Sequence, residues 1–310
     1  MIVDLVGTNA SEIQAALLDT RHRTGSSASG MVLTLVLVTD ENHHYEALRA
    51  ATEAAREHPS RILVAIARPG RGTARLDAEV RVGGENSSGE VVLLRAHAEL
   101  AEHLDSIVLP MLLPDAPVVA WWPADTPDVP SKEPLGALAM RRVTDASEAV
   151  DPIAALAVRA DGYVPGDTDL AWTRLTPWRT LLASMLDEGH DPLVAALVEA
   201  EAASPSAELL SRWLADRLGV PVGREESSGP GITSVRLRMA QGELTLTRPD
   251  GRVAILSRPG QPDRSVALPR RGLSELIAEE LRRLDPDEVY GRTLHATRAG
   301  AVPQTVGRTS

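Results

Sequence analysis

Hydrophobic residues in this chain come first as solid blocks, then at helical spacing, then at every second position. Met31–Thr39 is an unbroken apolar, β-branched run, and Arg61–Ala67 is a second. Blocks of that length suit strands buried on both faces. Between them, Asp40–His58 sets Ala and Leu against charged residues and predicts a helix. A β-α-β opening implies a parallel pair joined by a right-handed crossover. Ahead of it, residues 9–20 predict a first helix with Ile13, Leu17 and Leu18 on one face, and a Ser/Gly loop follows up to Gly30. Leu76–Val82 and Glu90–Ala96 alternate, and the linker 83–89 predicts a loose hairpin. His97–Leu109 predicts a helix and Pro117–Trp121 a short strand. Pro123, Pro127, Pro130 and Pro134 make the next stretch an irregular loop, because proline removes backbone donors. Structure resumes over Leu135–Val143. Asp145 and Glu148 have capping-box spacing, which predicts a helix through about Val158, and Gly162–Asp169 reads as a domain boundary.

The second half opens with three predicted helices. Thr176-Pro177 starts the first, with Trp178, Leu181, Leu182, Met185 and Leu186 as its buried stripe and Gly189 past its end. Asp191-Pro192 starts the second. Ser204-Pro205 starts the third, which stops at Gly219. The period then drops to two. Val235, Leu237 and Met239 alternate with Arg236 and Arg238. Turns at Gln241-Gly242, Arg248–Gly251 and Pro259–Asp263 separate them from Leu244–Thr247, Val253–Leu256 and Ser265–Leu268. This is a four-stranded antiparallel meander. Helices over Leu273–Leu284 and after Asp285-Pro286 close the pattern. The expected architecture is a helix and loop over 1–30, an α/β layer domain with a mixed sheet over 31–170, and an α+β domain over 171–310 whose tail is disordered from about 299.

Composition narrows the function classes. A net charge of -11 argues against nucleic acid, where a basic surface supplies most of the affinity. Cysteine is absent, which excludes disulfides, thiolate catalysis and Cys-based metal sites, and fits a cytoplasmic protein. Met1-Ile2-Val3-Asp4 lacks the pattern of a secretory leader, and the longest strongly apolar run, Val32–Val38, is far shorter than a membrane span needs. Phe is absent too, so the core must be Leu, Val, Ile and Ala with a few Trp. The one lysine, Lys132, follows Ser131, so no Gly-Lys-Ser/Thr phosphate loop exists. There is no Gly-x-Ser-x-Gly elbow, no His-Glu-x-x-His and no Gly-x-Gly-x-x-Gly after the first long strand. The expectation is therefore no catalytic residue, no metal and no cofactor.

Three stretches resemble one family. They are Trp121-Trp122-Pro123-Ala124-Asp125-Thr126-Pro127, Asp169-Leu170-Ala171-Trp172-Thr173-Arg174-Leu175-Thr176-Pro177-Trp178-Arg179, and Leu284-Asp285-Pro286-Asp287-Glu288-Val289-Tyr290-Gly291. In composition, order and spacing they are similar to the glucose-6-phosphate dehydrogenase assembly (OpcA) family, and the resemblance runs from about residue 31 to 295. It implies a non-catalytic protein that promotes assembly or activity of that dehydrogenase, at the NADPH-producing entry of the pentose phosphate pathway.

Two kinds of candidate residue follow. Trp121, Trp122 and Trp172 either anchor a partner, as tryptophans do at interfaces, or fill the core of a chain without Phe. With Asp125, Asp128 and Lys132 in the proline-rich loop, and Arg174 and Arg179 beside Trp172, they form the candidate partner-binding set. Arg236 and Arg238 must share one strand face. They read either as a site for an anion, such as a phosphorylated effector or nucleotide, or as a solvated face with ion pairs. Charge is unevenly placed, since Arg236–Arg271 holds 8 Arg against 3 acids and Glu99–Leu170 holds 13 acids against 4 basic residues, so the Arg face could also dock an acidic partner.

Overall fold

The computed structural model describes residues 1–25, 30–83 and 89–296. The Ser/Gly loop at 26–29, the centre of the 83–89 linker and the tail expected from about 299 lie outside them. The chain divides into two compact units. One comprises Met1–Ala149, Gly162–Leu170 and Gly272–Asp287, the other Val150–Asp161, Ala171–Arg271 and the segment from Glu288 onward. Neither unit is a continuous stretch of chain: the segment 150–161 belongs to the second unit and the segment 272–287 to the first.

Unit 1 is a three-layer α/β/α structure. In chain order it contains β1 (Ile2–Leu5), α1 (Ala10–Thr24), β2 (Leu33–Thr39), α2 (His44–Ala54), β3 (Ser60–Arg68), β4 (Arg75–Val82) and β5 (Glu90–His97). Then come α3 (Leu104–Val108), β6 (Val118–Trp121), α4 (Pro134–Ala137), β7 (Arg141–Thr144) and β8 (Asp167–Asp169). The sheet order is β1-β4-β5-β3-β2-β6-β7-β8. From β5 to β8 every pairing is parallel, and β1 and β4 add an antiparallel edge. The first strand of the parallel set, β2, lies at its centre. The chain builds outward from it on one side through β3 and β5, then returns to build β6, β7 and β8 on the other. That is the strand order of a doubly wound dinucleotide-binding sheet, with the reversal between β2 and β6.

Alternate residues of the central strands feed two cores. Leu33, Leu35, Leu37, Ile62, Val64, Ile66 and Leu93 meet α2 and a late helix, α9 (Leu273–Arg282), on one face. Val36, Leu63, Ala65, Val92 and Leu94 meet α1, α3 and the loop after β6 on the other. Residues 2–24 are thus part of this layer, since β1 pairs with β4 and Ile13 and Leu17 of α1 are buried. The helix expected to start at Asp145 does not form there. Asp145 accepts from the Ser147 N–H at 3.1 Å and closes a single short turn, and the helix α5 begins at Pro152 and runs to Gly162.

Unit 2 contains α6 (Leu170–Thr173), α7 (Thr176–Asp187), β9 (Leu193–Ala200), α8 (Pro205–Leu218), β10 (Val222–Glu226), β11 (Ile232–Met239), β12 (Glu243–Thr247), β13 (Val253–Ser257), β14 (Arg264–Ala267) and α10 (Glu288–His295). Its sheet runs β10-β9-β11-β12-β13-β14. The meander of β11 to β14 is antiparallel as expected. The second of the three predicted helices is a strand instead. Residues 193–200 form β9, hydrogen-bonded to β10 on one side and β11 on the other. Its Ala, Leu and Glu favour a helix locally, but two ladders of backbone hydrogen bonds override that weak preference. No helix among the described residues is long and apolar enough to cross a membrane.

Candidate functional site

In an open parallel sheet, ligands collect outside the carboxyl ends of the strands, at the point where strand order reverses. Here that crevice is bordered by the residues that follow β2 and β6. Immediately after β2, the Asp40 carboxylate accepts from the N–H groups of Asn42 at 2.8 Å and His43 at 2.9 Å, and lies 2.9 Å from His43 Nδ1. Burial pushes this carboxyl upward. The backbone donors of His43 and Asn42 and the adjacent imidazole together outweigh it and hold the group below its ordinary value. Its neighbour Glu41 reaches sideways to Arg68, at the end of β3, at 2.7 Å and to Arg95, near the end of β5, at 3.5 Å. Burial raises this carboxyl as well, but the hydrogen bond from Arg68 and the charges of Arg95 and Arg68 depress it on balance.

On the far side of the reversal, β6 leads into the proline-rich loop. Asp125 sits there with φ at +37°, in the left-handed region that short polar side chains tolerate. Possible ligand atoms of Asp40, His43 and Asp125 lie within 4.8 Å of one another, the one such group among the described residues. Its imidazole nitrogen is already turned to Asp40, and Asp125 and His43 are exposed.

The loop itself is fastened rather than free. The Trp122 N–H donates to the Val143 carbonyl at 3.0 Å, and Glu133 caps α4 through the Gly136 N–H at 2.9 Å. Burial pushes the Glu133 carboxyl up, and the charge of Asp105 adds to that, against the N–H groups of Gly136 and Leu135. Gly136 is required by close approach, since a Cβ there would stand 1.8 Å from the Pro130 carbonyl oxygen and 3.1 Å from the Trp122 ring.

The candidate anchors Trp121, Trp122 and Trp172 are buried in this fold, as is Trp178. Trp121, Trp122, Trp172 and Trp178 expose 0%, 2%, 2% and 2% of their surface. What the loop offers to solvent is Asp125, Asp128 and Lys132. In unit 2, Trp172 lies 5.9 Å from the Tyr290 ring, which brings together the second and third sequence motifs. The Arg179 guanidinium stacks 3.7 Å over Trp172 and donates to Thr176 Oγ1 at 3.1 Å, and Arg248 covers Trp178 at 5.0 Å. Arg174 is half-buried beside them. Arg236 and Arg238 do share the exposed face of β11, where Arg236 pairs with Glu199 at 2.7 Å and Arg238 stands across from Glu243. Asp40 and Glu41 were not among the sequence candidates. The available signal was an acidic pair directly after a buried strand, where a phosphate-binding strand would turn on glycine.

Two family models match the chain, the N-terminal domain of a glucose-6-phosphate dehydrogenase subunit over residues 51–161 and the C-terminal domain of the same subunit over residues 165–294. The chain belongs to the OpcA glucose-6-phosphate dehydrogenase assembly family. The two OpcA matches meet between residues 161 and 165, just before the main division of the structure at 170/171. No curated protein sequence matches it. Among solved structures, the OpcA chain is similar to a 3-ketoreductase from Actinomadura kijaniata in complex with NADP and TDP-benzene, with 14% identity, a TM-score of 0.46, and coverage of 85% of this chain and 94% of that one. An oxidoreductase from Sinorhizobium meliloti matches with 10% identity and a TM-score of 0.46, covering 85% and 86% of the two chains. An NAD-binding oxidoreductase from Klebsiella pneumoniae matches with 9% identity and a TM-score of 0.42, covering 85% and 93%.

Proposed function

We propose that this chain is a non-catalytic assembly factor of glucose-6-phosphate dehydrogenase that acts as its allosteric activator. The observation that carries the reading is the match of both halves of the chain to the two domains of an OpcA-type subunit. The side chains are consistent with it. The crevice at the strand ends holds carboxylates already engaged by backbone N–H groups and guanidinium groups, with no nucleophile–base pair among them. In this reading the docking edge includes Asp125, Asp128 and Lys132, held in place by the buried Trp122 and Gly136 beneath. Trp172, Arg174 and Arg179 act indirectly, by fixing the shape of the segment that carries them. Activation follows if the chain binds one conformation or oligomer of the dehydrogenase more tightly than the others and shifts its population.

An effector role for Arg236 and Arg238 has less support, because the Arg236 guanidinium is tied to Glu199. The deciding assay compares the dehydrogenase rate and its glucose-6-phosphate saturation curve with and without one equivalent of the purified chain. A higher rate or a lower half-saturation supports the proposal. Identical curves across the concentration range contradict it.

A further inference from the structure

The strand order of unit 1 implies a dinucleotide, so the fit of its residues to one can be tested. In such a sheet the turn after the central first strand carries three glycines, and the pyrophosphate lies on the N–H groups that open the following helix. Cations or polar groups at the end of the next strand then read the adenosine ribose or its phosphate. Here the turn after β2 reads Thr39-Asp40-Glu41-Asn42-His43-His44, and no glycine occurs between Gly30 and Gly70. Without the glycines the backbone approaches a pyrophosphate less closely, which weakens binding but does not by itself block the seat. The donors at the start of α2 are also taken, since the Asn42 and His43 N–H groups bond to Asp40 Oδ1.

The second half of the seat is filled in the same way. The end of β3 does carry a guanidinium, Arg68, of the kind that suits a phosphate. Glu41 engages it with Oε2 2.9 Å from Nε and 2.7 Å from Nη2. The same carboxylate turns its other oxygen to Arg95 at 3.5 Å. Across the reversal Asp125 adds another acid next to Asp40. An arriving pyrophosphate would meet two carboxylates at close range and would have to displace both from their donors.

We infer that the dipeptide Asp40-Glu41 is an internal stand-in for the phosphates of a dinucleotide, so that unit 1 keeps a nucleotide-binding sheet and closes its seat with its own side chains. One carboxylate takes the pyrophosphate position on the helix N–H groups. The other takes the cation at the end of the neighbouring strand. The two lie next to each other in sequence because the turn leads from one position straight to the other. This inference concerns the crevice alone and stands whether or not the chain activates a dehydrogenase.

The test uses the full chain. NADPH and NADP are titrated by cofactor fluorescence and calorimetry, and amide hydrogen exchange is followed over residues 42–46 with and without ligand. The native chain should show no saturable binding up to millimolar concentration and no added protection at those amides. In the variant Asp40→Ser, Glu41→Ala, pyrophosphate and NADP should bind roughly tenfold or more tighter than to the native chain, with new protection at 42–46. Should that variant not fold, Asp40→Asn, Glu41→Gln removes the two charges at nearly constant shape and is read in the same way. Saturable NADPH binding by the native chain with protection at 42–46 would overturn the inference. So would a folded variant that stays as blind as the native chain, because the carboxylates would then not be what closes the seat.

Discussion

At the scale of single residues, the aromatic rings and the loop's polar groups have opposite consequences when removed. Trp172 is enclosed between Tyr290 and Arg179, so Trp172→Ala leaves a large cavity and an unstacked guanidinium. A loss of about 3–5 kcal/mol is expected in denaturant unfolding. Lys132 is exposed on the loop, so Lys132→Glu should leave unfolding within about 0.5 kcal/mol of the native chain. It should nevertheless weaken binding to the dehydrogenase, measured by titration calorimetry. Equal affinity would remove Lys132 from the docking edge. Gly136→Ala forces a Cβ against the Pro130 carbonyl and the Trp122 ring, and about 1–3 kcal/mol of destabilisation should follow.

At the scale of elements, the start of α2 sets an acid limit. Asp40 and Glu41 have depressed carboxyl values in the folded chain. Such groups contribute stability that is complete above their ordinary values of 3.8 and 4.5, and it is lost as pH falls through the lower folded values. Thermal unfolding should therefore drop on acidification below about pH 4.5, and Asp40→Asn should make that drop shallower. A native-like acid limb in the variant would contradict the assignment. The elements themselves were unevenly legible in sequence. The buried blocks of β2 and β3, the β4–β5 hairpin and the β11–β14 meander follow directly from apolar runs and two-residue alternation. β9 does not, because Leu193–Ala200 is rich in helix formers behind an Asp-Pro start signal, and only its two strand neighbours decide it. β8 does not either, since Asp167-Thr168-Asp169 carries no apolar signature. Asp169 is buried because Thr144 Oγ1 donates to it at 2.6 Å and the Ala146 N–H at 3.0 Å. The role of Asp40 needed the strand order, which no local pattern contains.

At the scale of the whole molecule, the chain visits its first unit three times. Residues 272–287 return to it late, and α9 buries Leu276, Ile277 and Leu281 beside α2 in the core on that face of the sheet. A buried ion pair fastens this return. Arg141 Nε donates to Glu280 Oε2 at 2.8 Å, and its Nη1 donates to the Asp285 carbonyl at 2.9 Å. Breaking it with Glu280→Ala strands a buried guanidinium and should cost about 3–5 kcal/mol in urea unfolding. An interleaved chain of this kind cannot be divided into two expressible halves at residue 170, because the first would lack α9. If this chain acts by holding another protein, as proposed, the two should form a stable complex in solution. Light scattering coupled to size exclusion of the native chain mixed with purified glucose-6-phosphate dehydrogenase tests it most directly. A single species whose mass is the sum of the two proteins in a fixed ratio is expected. Two peaks at the masses of the separate components, at micromolar concentrations of both, would contradict it.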